Sequence, residues 1–101
     1  MSSVNYVFNG HNFDVLDGTK QAIRERVEKL DNIKHITSAR FFFERTPDKK
    51  NKVEAVLHIK NKDLVATSKS GTVKSSINSV FRKIKKQLEK EHRTLHSYHG
   101  K

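Results

Sequence analysis

The sequence predicts an α+β domain of order β-α-β-β-β-α, a four-stranded sheet with two helices packed on one of its faces. Three observations lead there. Two segments repeat their apolar residues every three or four positions, as a helix with one buried stripe does. The region between them changes to a period of two, the mark of strands with one buried face. The chain has 101 residues, enough for one domain with a single modest core. Each helix has one apolar stripe and each strand one apolar face, so two layers bury everything that needs burying.

The first strand is expected over Val4 to Phe8, ending at the Asn9-Gly10 turn signal. A helix then starts near Asp17, a residue able to cap free backbone N–H groups. It runs to about Ile33, with Ile23, Val27 and Leu30 as its stripe. From Ser38 the period is two, and Phe41, Phe42 and Phe43 give the second strand its β propensity. Pro47, which has no N–H to donate, marks the loop after it. Val53, Ala55, Leu57 and Ile59 alternate with Glu54, Val56, His58 and Lys60 as the clearest strand. A turn at Asn61-Lys62 leads to a fourth strand over Leu64 to Lys69, completing an antiparallel meander. Thr72 is placed to cap a long helix to Leu95 with the stripe Val73, Ile77, Val80, Phe81, Ile84 and Leu88. The domain is thus expected over 1–95, with 96–101 a short basic tail disordered without a partner.

Charge is distributed unevenly over this plan. There are 21 Lys plus Arg against 11 Asp plus Glu, a formal net charge of +10. On the last helix Arg82, Lys83, Lys86, Lys90 and Arg93 fall opposite the apolar stripe, with Lys85 on the flank and Glu89 as their acidic neighbour. A solvated helix face usually mixes signs, since each opposite pair adds about 0.2–0.5 kcal/mol. A face of one sign forgoes that and repels itself, which points to a polyanionic partner. Lys20, Arg24 and Lys29 on the first helix, and Lys74 at the start of the last, look out from the same side of the domain. Such a footprint is expected of a nucleic-acid binder, although membrane surfaces and acidic proteins also attract cations.

Other chemistries are poorly supported. No apolar run approaches a membrane span and no signal-peptide pattern opens the chain, so a soluble, cytoplasmic protein with no membrane partner is expected. The absence of cysteine removes disulfides, thiolate metal sites and cysteine nucleophiles. The six histidines are spread over loops, a strand exterior and the tail, and Glu25 and Glu28 lie on an exposed helix face. No metal site, cofactor, small-molecule substrate or catalytic residue is therefore expected. Alternation leaves Phe42 alone on the outer sheet face beside Arg40, a poor platform for stacking bases.

Several stretches in collinear order resemble one family: Gly10-His11-Asn12 followed by Phe13-Asp14-Val15, Glu28-Lys29-Leu30, Ala55 to Ile59, Val65-Ala66-Thr67-Ser68, and Ile84 to Lys90. The chain is similar to the short form of the ribosome hibernation promoting factors, which include the ribosome-associated translation inhibitor. Where that family has an acidic-and-tyrosine motif opening the last helix, this chain has Thr72-Val73-Lys74 followed by Ser75-Ser76-Ile77-Asn78. The resemblance implies a non-enzymatic factor that binds the small ribosomal subunit and its rRNA in the mRNA/tRNA channel near the decoding centre. It would inhibit translation and stabilise idle ribosomes under stress or in stationary phase. With its basic tail the chain looks closer to the family's short form with little tail, which is associated with ribosome dimers, than to the form whose acidic tail goes with inhibited monomers. On this reading Lys20, Arg24, Lys29, Lys74, Arg82, Lys83, Lys86, Lys90 and Arg93 bind rRNA. The alternative is a general double-stranded RNA-binding domain, which has the order helix, three strands, helix and needs no first strand.

Overall fold

A computed structural model describes residues 4–31, 35–59 and 62–99, without the side chains of residue 31 and residues 91–99. The order is β1 (Asn5–His11), α1 (Asp17–Asp31), β2 (Ile36–Arg45), β3 (Asn51–Ile59), β4 (Lys62–Ser70) and α2 (Val73–His99). The strands lie side by side in chain order, β1-β2-β3-β4. β1 pairs with β2 in parallel, which requires a crossover, and α1 supplies it. β2, β3 and β4 form the antiparallel meander that the alternation predicts.

Alternation puts Phe41, Phe43, Val53, Ala55, Leu57, Ile59, Leu64 and Ala66 on the covered face of the sheet, all buried. Ile23, Val27 and Leu30 of α1 and Ile77, Val80, Phe81, Ile84 and Leu88 of α2 close over them. A run of rings crosses this layer: Tyr6 to Phe8 at 6.1 Å, Phe8 to Phe41 at 5.9 Å and Phe41 to Phe81 at 5.9 Å between centroids. Phe13 stacks on Phe43 at 5.4 Å, which ties the loop before α1 to β2.

β1 differs from expectation. Asn9-Gly10 is no turn; the strand continues to His11, and Gly10 stands beside Phe43 in the parallel ladder. The chain bends two residues later, at Asn12, whose φ of 52° is left-handed. Gly10 is needed for closeness: a Cβ there would stand 2.1 Å from the Phe13 carbonyl oxygen as the loop folds back. β2 and β4 begin two residues earlier than the sequence suggests, and Lys62 belongs to β4. The rest of the expected Asn61-Lys62 turn, the α1 residues after Asp31 and the last two tail residues lie outside the described residues. The backbone of α2 is helical to His99, past the expected end at Leu95.

Thr72 caps α2 as expected, its Oγ1 accepting the Ser75 N–H at 3.1 Å. The buried Ser76 hydroxyl donates to the Asn51 carbonyl at 2.6 Å, while the Asn51 amide donates to the Gly71 carbonyl at 3.0 Å. This knot pins the start of α2 to the start of β3. Along the helix, Lys83 Nζ donates to the Thr67 carbonyl at 2.6 Å and Gln87 Nε2 to the Val65 carbonyl at 2.8 Å. Both acceptors belong to β4, an outer strand whose free carbonyls would otherwise invite another strand.

Candidate nucleic-acid interface

On α2 the buried stripe has two flanks, and their contacts give each a direction. Ser76, Lys83 and Gln87 lie on the flank over β3 and β4. Asn78 lies on the other, where its side-chain oxygen accepts from the Arg26 guanidinium of α1 at 2.6 Å. At about 100° per residue, Arg82 and Lys85 share the Asn78 flank and so border the seam between the helices. Lys86 and Lys90 stand on the crest between the flanks, both exposed. Lys74 is exposed in the first turn, whose residues include no acid to answer it.

The residues read as a single charged set from the sequence therefore have different surroundings. Arg82, Lys86 and Lys90 are exposed and point away from the sheet. Lys83 turns back to the β4 edge, so its charge sits where α2 meets the sheet and not on the crest. Arg93 is on the part of α2 whose side chains lie outside the described residues. On α1, Lys20 is half-buried and Lys29 exposed in the last turn. Arg24 is half-buried, its guanidinium 5.4 Å from the Phe8 ring centre and 5.9 Å from that of Tyr6. The crest of α1 exposes Gln21, Glu25 and Glu28 and is of mixed sign. Its cations occupy the flanks, so the strongest one-sign surface is α2 and the seam beside it.

Arg26 was not among the residues singled out from the sequence. It spans the seam, bonded to Asn78 and 4.4 Å above the centre of the Phe81 ring. Burial lowers its pKa from the usual arginine value, a sign that the guanidinium has given up part of its water. The signal was present in the sequence as a cation on one flank of the α1 stripe. Periodicity cannot say which flank faces a second helix, and without that Arg26 looks like any other border residue.

Among the described residues no three His, Asp or Glu side chains gather as metal ligands would, and no helix is long and apolar enough to cross a membrane. The arrangement offers fixed positive charge on a rigid support, with Arg26 and Arg24 immobilised on rings and Lys86, Lys90 and Arg82 free to meet phosphate oxygens. Such groups fix position on a nucleic acid and read no sequence.

Comparison with known proteins finds relatives both in sequence and in fold. The pattern of the family described as sigma 54 modulation protein / S30EA ribosomal protein matches residues 6–96. A ribosome hibernation promoting factor of Azotobacter vinelandii is 30% identical over 84 residues, which covers 81% of this chain and 77% of that protein. Two solved structures share the fold. A ribosomal subunit interface protein from Coxiella burnetii superposes with a TM-score of 0.77 at 14% identity, covering 88% of this chain and 98% of that one. The N-terminal domain of Thermus thermophilus protein Y does so with a TM-score of 0.70 at 16% identity, covering 85% and 94%.

Proposed function

From the premise that the chain belongs to the sigma 54 modulation protein / S30EA ribosomal protein family, we propose that it is a ribosome hibernation factor. It binds the small subunit through rRNA in the mRNA/tRNA channel near the decoding centre, where its bulk blocks translation and protects idle ribosomes. The protein is a binding factor and not an enzyme, as family membership indicates. The observation that carries the reading is the exposed cationic crest of α2 beside the Arg26 seam, on a two-layer support of the family fold. Charge of one sign attracts the phosphate backbone, and the rigid layers let a preformed RNA surface accept or reject the whole shape. That the relative in Azotobacter is named for hibernation and the neighbour in Coxiella for the subunit interface supports the same partner.

Co-sedimentation with purified small subunits, with naked duplex RNA as competitor, tests the proposal. Stoichiometric binding that duplex RNA does not displace is expected. Absence from the subunit fraction, or equal preference for any duplex, would move the function to a general double-stranded RNA binder.

A further inference from the structure

The helices cover one face of the sheet and leave the other bare. The register sets its outward side chains in rows. His11, Glu44, Lys52 and Lys69 make one, and Asn9, Phe42, Glu54 and Thr67 the next. Two hollows join along these rows. The first, about 290 Å³, is lined by Asn9, His11, Phe42, Glu44, Lys52 and Glu54. The second, about 540 Å³, shares Glu44 and Lys52 and continues past Thr67 and Lys69 to Lys83 of α2. One end thus has an aromatic ring with an amide and two carboxylates. The other has three lysines, with the hydroxyls of Thr46, Thr67 and Ser68.

We propose that this furrow is a second binding site, for a guanine nucleotide, with the base on Phe42 and the phosphates at Lys52, Lys69 and Lys83. A lone ring is a poor platform for a run of bases, but a single base can stack on it without regard to sequence, and Phe42 has the hydrogen-bonding groups of Asn9, Glu44 and Glu54 beside it. The carboxylates of Glu44 and Glu54 only accept hydrogen bonds, and guanine has two adjacent donors on one edge, its N1–H and N2 amino group, where adenine has one amino group. Strands stand about 4.8 Å apart, so Phe42 on β2 and Lys69 on β4 are separated by roughly 10 Å across the sheet, the scale of a nucleotide from base to outer phosphates. Lys83 is already held toward this end by the Thr67 carbonyl, and Lys69 by Asp48 at 3.6 Å, so neither has to be recruited from free solution. The same chemistry is offered by a free nucleotide and by an unpaired guanosine in single-stranded RNA. Apart from Lys83, which reaches it round the β4 edge, the site lies on the face opposite the cationic crest, and it does not depend on the ribosomal reading.

Titration of the full ¹⁵N-labelled chain with GMP, GTP, AMP and the single-stranded trinucleotide UGU, followed by NMR, decides the matter. Shifts should appear at Phe42, Lys52 and Thr67, with GTP tighter than GMP and AMP weaker by about ten-fold, one lost hydrogen-bonded pair. GTP tighter than UGU identifies the free nucleotide as the source, and UGU tighter than GMP identifies RNA. Phe42→Leu, which keeps an apolar side chain in place, should weaken every ligand by about five-fold or more through lost stacking. Lys69→Gln should remove the advantage of GTP over GMP. Both variants should still co-sediment with small subunits if the helix face serves that purpose. Shifts confined to the helices, no shifts at all, equal binding of AMP and GTP, or full affinity in Phe42→Leu would overturn the assignment.

Discussion

Reversing Lys86 and Lys90 to Glu changes the sign of the α2 crest and touches nothing beneath it, because both side chains are exposed and neither supports the core. The double variant should fold with unchanged stability and bind small subunits at least about ten-fold more weakly, since rim charges act mainly on encounter and long-range attraction. Equal co-sedimentation of variant and parent would remove α2 from the contact surface. Gly10 is the opposite case, a residue whose part is in packing. Gly10→Ala places a methyl group against the Phe13 carbonyl and should cost about 1–3 kcal/mol by overpacking, read as a lower urea midpoint. A change within error would show that the loop after His11 can withdraw. The sequence offered Gly10 as half of a turn. What it could not offer was the return of the loop onto the strand, a contact between residues whose closeness only the folded chain creates.

Periodicity made the elements legible: the stripe of α2, the alternation of β3 and the Thr72 cap all stand where local pattern puts them. It failed where a partner decides. β1 runs on through Asn9-Gly10 because a neighbouring strand holds it, and Lys83 leaves the crest because the carbonyls of β4 are within reach. Replacing Lys83 and Gln87 together with Ala should cost about 1–3 kcal/mol, at the usual net worth of two hydrogen bonds. It should also raise self-association in sedimentation, as an uncovered edge does. A stable, monomeric double variant would mean that the bonds are incidental. The turn between β2 and β3 is a second element with its own test. The Asp48 carboxylate accepts from the Thr46 hydroxyl and lies near Lys69, which together hold its pKa below the ordinary value. A depressed pKa means that the stabilisation is present above the ordinary carboxylate range and lost as pH falls through the lower, folded value. NMR titration should find the Asp48 midpoint below that of a free aspartate, and Thr46→Val should move it upward; no movement would leave the hydroxyl without a role in the turn.

At the scale of the molecule, the net charge of +10 is carried by a body whose two broad faces differ in kind, one helical with the cationic crest of α2, the other a bare sheet of mixed sign. If phosphates are what the first face meets, each contact releases counterions and affinity for small subunits should fall steeply and linearly in the logarithm of salt concentration. A flat response would point to a partner that is not RNA. Net charge and the one-sign face of α2 raised the expectation of a polyanionic partner, and the order of elements made the two layers legible. The furrow across the bare face was not, because it joins side chains from all four strands and becomes visible only once their register is known.

The sheet order has a consequence for how the protein is made. Because the strands stand in the order in which they leave the ribosome, each new strand finds its neighbour already synthesised and adds to the outer edge. No strand is ever inserted between two others, and no finished part must reopen. The largest wait is that of β1, which stays unpaired until α1 has been translated and β2 has emerged; every later pairing closes a short loop. Last comes α2, whose Lys83 and Gln87 seal the one edge that elongation has just left exposed.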